Sequence, residues 1–251
     1  VIFMEIFYSN EIHDGEIILP EGESNHCVRV LRHVAGDEIH VSCSDGNLYR
    51  CVLCDASPGR AVLKILSVEG GFGSHPYYLH IAIAPTKNID RFEWFLEKAT
   101  EIGVDEITPL LCDHSIRKIV KLEREERVIL SAAKQSLKGT VPQLNDMMTV
   151  SELVSQTQGY DLRGIAFCDR ELVNSAGEGV TRIHIADALE AFRETTLPRI
   201  LIMIGPEGDF SRNELSVAAD SALKPISLGE ARLRTETAGV MAAASVALSF
   251  R

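Results

Sequence analysis

Three observations predict an all-β segment followed by an α/β domain built on a parallel sheet in this 251-residue sequence. Up to about residue 72, short apolar runs alternate with turn residues around one helical stretch. From Leu79 onward, strand-like and helical stretches alternate, which is the order that places helices on both faces of a parallel sheet. Late in the chain, Ile200-Leu-Ile-Met-Ile204 is unbroken apolar sequence, as expected of a strand covered on both faces.

In the first segment, Glu38-Ile-His-Val-Ser42, Leu48-Tyr-Arg-Cys-Val-Leu53 and Ala61-Val-Leu-Lys-Ile-Leu66 read as strands. Ser44-Asp-Gly-Asn47 and Ser57-Pro-Gly-Arg60 between them are turn chemistry. A helix is expected over 24–33, capped by Ser24 or Asn25. It would carry His26, Arg29 and His33 on one face with Arg32 beside them. That face reads either as a phosphate-contacting patch or as ordinary solvated surface. Gly70-Gly-Phe-Gly-Ser74 reads as a linker, giving domains of 1–72 and 73–251.

The second segment opens with strand Leu79-His-Ile-Ala-Ile-Ala84. A helix over 90–102 follows, with Phe92, Phe95, Leu96 and Ala99 on its apolar side and Gly103 stopping it. Glu106-Ile-Thr-Pro-Leu-Leu111 is a strand, 122–137 a long helix, 165–168 a strand and 186–194 an amphipathic helix.

The chain is organised around 200–243. After Ile204 comes the loop Gly205-Pro-Glu-Gly-Asp209, and Ser211 with Glu214 has capping-box spacing for the next helix. Ile226-Ser-Leu228 is a short strand, 229–235 a second glycine-bearing loop, and the last helix starts near Glu236. Two strand ends thus deliver glycine loops to the carboxyl edge of the sheet, where open α/β sheets bind ligands. The loop matches neither dinucleotide nor P-loop spacing, and Glu207 and Asp209 would repel a phosphate. A ligand that is cationic or neutral at that point fits better.

Apolar residues make up 45% and charged residues 24% of the chain, ordinary for a globule, and no apolar run approaches the roughly 18 residues of a membrane span. Val1-Ile2-Phe3 before Met4 shows no signal-peptide pattern, and the six cysteines show no disulfide framework, so a cytoplasmic protein is expected. Cys51 and Cys54 have metal or redox spacing, but they lie in a strand-like run without a second pair. They read as buried thiols, and no metal is expected. Net charge is −11, which taken alone argues against nucleic acid. The exception is 113–142, with 7 Lys and Arg against 4 acids, where Arg117, Lys121, Arg124 and Arg127 can cluster about one helical face.

Four motifs bear a resemblance that covers almost the whole chain. Ile204-Gly-Pro-Glu-Gly-Asp-Phe-Ser211 with Leu228-Gly-Glu-Ala-Arg-Leu-Arg-Thr-Glu-Thr-Ala238 resembles the paired signature of the small-subunit (16S) ribosomal RNA uracil-N3 methyltransferases of the SPOUT class. Asn25–Arg32, Lys87–Gly103 and Ser131-Ala-Ala-Lys-Gln-Ser136 resemble further stretches of that family. The family commonly has Gly where Asp209 stands, and Arg where Ala231 stands, one position before Arg232. The resemblance implies a PUA-like RNA-binding barrel, then a SPOUT α/β domain whose loops form a C-terminal trefoil knot around S-adenosylmethionine. It implies a homodimer built partly on the last helix, acting on the small ribosomal subunit. Ile204, Gly205, Pro206, Glu207, Gly208, Leu228, Gly229, Leu233 and Thr235 would line the cofactor site. Arg29, Arg32, Arg117, Lys121, Arg124 and Gln135 would meet RNA.

Methylating a uracil nitrogen requires loss of the imide proton, alignment with the methyl group, and donors for the charge developing on the ring. Arg234, beside the cofactor loops, is the first candidate donor. Glu236 would accept the proton or orient Arg234, Arg232 is a further candidate, and Glu207 either bonds loop amides or touches substrate. A nicotinamide-dependent α/β enzyme lacks its glycine fingerprint here. A non-catalytic RNA-binding protein on the same fold stays open.

Overall fold

The computed structural model describes residues 5–168 and 181–250. Val1, Ile2 and Phe3, named above for lacking a signal-peptide pattern, lie outside the described residues. The chain divides into two compact units, Val1–Ser74 with Leu130–Val141, and His75–Ile129 with Pro142–Arg251.

The first unit holds β1 (Ile6–Tyr8), β2 (Glu11–His13), β3 (Glu16–Ile18), α1 (Glu21–Asn25), β4 (Glu38–Ser42), β5 (Asn47–Asp55) and β6 (Val62–Gly70). Its sheet runs β1-β4-β5-β6-β3-β2, with β1 and β4 parallel and the other pairs antiparallel. Phe7, Ile17, Leu19, Val41, Cys51, Leu53 and Leu63 fill the core. Leu130 and Val141 pack with Ile6, Tyr8 and Leu48, which is why this later segment belongs to the first unit.

Helix α1 starts earlier than expected, at Glu21, and continues as a π turn over His26–Val30. Ser24 does not cap it: the buried hydroxyl donates to Leu19 O and accepts from Ala61 N. His33 lies beyond the helix, so the expected face of His26, Arg29 and His33 does not form. His26 Nε2 lies 3.0 Å from Glu5 and His33 Nδ1 3.1 Å from Asp37, so acids claim both rings. The expected linker is also structured, since β6 runs through Gly70 and Phe72 packs against the β1 cluster. Cys51 is buried and Cys54 exposed, because residues three apart on a strand face opposite sides.

The second unit is α/β. It contains β7 (Tyr78–Ile83), α2 (Ile89–Ile102), β8 (Glu106–Leu111), the start of α3 (Leu122–Gln135), β9 (Gln143–Leu144), β10 (Met148–Thr149), α4 (Val150–Gln156) and β11 (Leu162–Ala166). These are followed by β12 (Ile183–His184), α5 (Ile185–Glu190), β13 (Arg199–Ile204), α6 (Arg212–Asp220), β14 (Lys224–Ser227) and α7 (Thr235–Ser249). All pairs are parallel in the order β10-β8-β7-β13-β11-β14-β12, with β9 on β8. Residues Ile200 to Ile204 are at most 3% exposed, as the unbroken apolar run predicts.

Helix α7 packs on α2, α5, β7 and β13. A Cβ at Gly239 would lie 2.6 Å from the Phe95 ring and 2.8 Å from Ile83, so only glycine lets α7 come this close. The helix is nevertheless not buried all round: Met241 is 43% and Leu248 58% exposed. Ala243 is fully buried within the protomer.

Candidate active site

The loops after β13 and β14, with residues just past β11, enclose a cleft of about 700 Å³ at the carboxyl edge of the parallel sheet. The strand order places β11 between β13 and β14, which brings the two glycine loops to the same opening.

The first loop is stapled from several sides. Ser211 and Glu214 form the expected capping box, with Glu214 N to Ser211 Oγ at 3.2 Å and Ser211 N to Glu214 Oε2 at 2.8 Å. The other Glu214 oxygen accepts Asp113 N at 3.0 Å, and Ser211 Oγ donates to Asp113 at 2.5 Å. His114 Nδ1 meets the Gly208 and Asp209 carbonyls at 3.1 and 3.0 Å. Both are acceptors, so this nitrogen carries the proton. Glu207 Oε1 accepts Lys87 N at 2.9 Å, which gives it the amide-bonding role. In the second loop Gly229 has φ +119°, a conformation that side chains resist. Its N–H donates to Ser227 Oγ at 3.3 Å. Thr235 Oγ1 donates to Gly205 O at 3.1 Å, joining the start of α7 to the first loop.

Ile204, Gly205, Pro206, Glu207, Leu228, Gly229, Leu233 and Thr235 line the cleft, together with Arg232 and Arg234. Gly208 does not line it; its backbone is taken up with His114. Arg234 is exposed at the N-terminal edge of α7. Glu236 is buried, lies off the cleft, and has Arg91 of α2 at 3.9 Å. Its position places the carboxylate beside α2 and outside the cleft lining. Asp209, whose charge the sequence points to, also lines the cleft. Ala166, Phe167, Cys168 and Arg182 line it too and had no counterpart among the sequence candidates, because β11 is distant in sequence from the loops it adjoins.

The basic stretch is not one helical face. Arg117 and Lys121 precede α3, and Arg117 donates to Thr86 O at 3.1 Å and Lys87 O at 2.8 Å. Arg124 lies 2.6 Å from Glu93. These three residues line a smaller cavity of about 280 Å³ with Ile89, Ile119, Val120 and Glu125. Glu125 is 1% exposed, its Oε2 has no hydrogen-bond partner among the described residues, and burial followed by the Glu93 charge pushes its carboxyl up to about 7. In the first unit, Arg29, Arg32 and Gln135 are exposed, and Arg32 takes a left-handed φ of +64°. Among the described residues no group of three or more His, Cys, Asp or Glu could hold a metal ion, and no helix is long and apolar enough to cross a membrane.

Comparison with known proteins shows the family to which the chain belongs. The RNA methyltransferase domain family matches residues 73–247, and the RNA methyltransferase PUA domain family matches 19–66. The chain belongs to this RNA methyltransferase family. Ribosomal RNA small subunit methyltransferase E of Mesomycoplasma hyopneumoniae is 32% identical over 93% of this chain and 95% of that protein. A probable rRNA-methyltransferase from Porphyromonas gingivalis superposes with a TM-score of 0.80 at 36% identity, covering 96% and 95% of the two chains. Ribosomal RNA small subunit methyltransferase E from Neisseria gonorrhoeae, solved bound to S-adenosyl methionine, shares the fold with a TM-score of 0.79 at 24% identity, over 96% and 95%. Along this chain the PUA domain match precedes the RNA methyltransferase domain match.

Proposed function

We propose that this RNA methyltransferase transfers a methyl group from S-adenosylmethionine to N3 of a uridine in 16S rRNA, as a cytoplasmic homodimer. The observation that carries this reading is one cleft in which the two glycine loops meet, with Arg234 at its edge. Its volume is in the range of small-molecule sites, about 300–1,000 Å³. Glu207, Asp209 and Glu230 line it, which suits a cationic ligand, while Arg182, Arg232 and Arg234 supply donors on the same lining. The trefoil knot implied by the resemblance is part of this proposal, and no metal is.

The donor supplies an electrophilic methyl on a sulfonium. What the chain contributes is orientation and charge. The Gly205 and Gly229 loops present main-chain groups to the cleft, and Thr235 fixes one loop against α7. Glu207 accepts the Lys87 amide at one carboxylate oxygen. Arg234 is the donor for the anionic uracil edge, where its fixed positive charge and planar fork suit O2 and O4 flanking N3. Arg29, Arg32, Lys121, Arg124 and Gln135 are the exposed positions assigned to RNA, with Arg124 also paired to Glu93, whereas Arg117 is half-buried and braces the Thr86 and Lys87 carbonyls.

Nucleoside mass spectrometry of 16S rRNA from a strain lacking the gene tests the proposal. N3-methyluridine should vanish there and return when the wild-type chain is supplied. Unchanged N3-methyluridine in the deletion strain overturns it.

A further inference from the structure

The Phe167–Cys168 peptide, just past the end of β11, is held at both polar atoms by charged side chains of opposite sign. Its carbonyl oxygen accepts from Arg182 Nη1 at 2.5 Å, and its N–H donates to Asp209 Oδ2 at 2.7 Å. In a trans peptide these two atoms point in opposite directions, so the pair grips the unit from both sides. The Arg182 guanidinium also lies 5.7 Å from the centre of the Phe167 ring. All four residues line the cleft.

Asp209 does this from a backbone that favours glycine. Its φ is +64°, a region where non-glycine residues are uncommon, although aspartate is among the less disfavoured. Glycine there would relieve the strain but bring no acceptor. The carboxylate divides its oxygens: Oδ1 accepts Phe210 N at 2.9 Å within its own loop, while Oδ2 reaches across 41 residues to Cys168. The long-range bond is the one that joins the β13 loop to the β11 end, two walls of the same cleft.

We propose that Asp209 and Arg182 are positioning residues that lock the Phe167–Cys168 peptide as a fixed wall of the cleft, and thereby set affinity for the methyl donor. This rests on the reading of the cleft as the cofactor site. A peptide with both polar atoms engaged does not have to be ordered when ligand arrives, and preorganisation of this kind strengthens binding.

Calorimetric titration of the full chain with S-adenosylmethionine, alongside thermal melting, tests the lock with Asp209→Gly, Asp209→Asn, Arg182→Ala and the double variant Asp209→Gly/Arg182→Ala. Asp209→Gly should melt at or above the wild-type temperature, yet its Kd should rise roughly tenfold, the scale of one lost charge-assisted bond. Asp209→Asn keeps an acceptor oxygen and should restore most of the affinity. Arg182→Ala should weaken binding in the same direction, and the double variant should fall short of the product of the singles, because both act on one peptide. In steady state the donor KM should rise with Kd while kcat falls far less. Wild-type affinity in Asp209→Gly overturns the lock alone, as does an Asp209→Asn variant no better than glycine. A wild-type chain that binds no methyl donor overturns the cofactor reading, and the lock with it.

Discussion

The Glu236 carboxylate, in the first turn of α7, lies 3.9 Å from the Arg91 guanidinium of α2, with the acid side chain 9% and the arginine 45% exposed. The acid is therefore turned toward the helix pair and away from the cleft that Arg234 lines. Glu236→Gln should fold and keep the single-turnover rate within about tenfold, since it loses one partly exposed ion pair of modest strength. A fall as large as that of Arg234→Ala, measured under the same conditions, would make Glu236 the proton acceptor.

Gly229 leads to a second expectation. Its φ of +119° strains any side chain, while an added Cβ would meet nothing within 4 Å among the described residues. The backbone, not crowding, makes this position sensitive, at a cost of about 1–3 kcal/mol for a non-glycine residue. Because Gly229 lines the cleft, Gly229→Val should abolish S-adenosylmethionine binding in calorimetry while the chain stays folded by circular dichroism.

Local signals made much of this fold legible, and distant partners hid the rest. The strands at 38–42 and 106–111 were readable to the residue because turn chemistry flanks them. The Ser211–Glu214 capping box is likewise written in four consecutive residues. Two equally local signals are weaker: the Asp14-Gly15 turn joining β2 to β3, and the Thr149–Glu152 capping box that starts α4. Flanking strands of three residues give too little periodicity to draw notice. The site shows the same division. The glycine loops announce themselves, but Arg182 and the Phe167–Cys168 wall reach the cleft only through sheet order. Arg117 looked like a free cation because the Thr86 and Lys87 carbonyls that it bonds lie about thirty residues earlier.

Glu125 predicts a pH-dependent stability. Burial and Glu93 raise its folded pKa to about 7, above its ordinary value of 4.5. Between those values the folded state binds more protons than the unfolded state, so its stability is greatest at low pH and declines as pH rises from 4.5 through 7. A gap of this size is worth about 3 kcal/mol. Glu125→Leu removes the buried charge, so it should raise Tm by several degrees at pH 8 and far less at pH 5. Equal shifts at both values, in thermal melts across that range, would show that ionisation of Glu125 is not the cause.

The exposed side of α7 tests the dimer. Met241 and Leu248 lie there, and Trp94, on the packed neighbour α2, is 43% exposed. Met241→Glu with Leu248→Glu should turn a sedimenting dimer into a monomer at micromolar concentration with an unchanged circular dichroism spectrum. Ala243→Arg should instead unfold the protomer, because that position is fully buried and an unpaired charge there has no partner. A wild-type chain that sediments as a monomer yet methylates RNA fully would refute the dimer.

Arg234 separates binding from chemistry. It lies on the cleft lining at the N-terminal boundary of α7, after Leu233 and before Thr235, which hydrogen-bonds Gly205 O. It is exposed, so its loss leaves no buried group unpaired and should not disturb folding. Arg234→Ala should therefore bind S-adenosylmethionine within a few-fold of wild type. Its single-turnover rate should fall by roughly two to three orders of magnitude, the typical cost of losing a donor aimed at developing charge. Arg234→Lys should recover part of this, since an ammonium keeps the charge but not the planar fork. Arg232 lines the same cleft two residues earlier and provides the internal control. If Arg234→Ala loses the cofactor and keeps its rate at saturation, Arg234 is a cofactor clamp, and Arg232→Ala should then show the rate defect in its place.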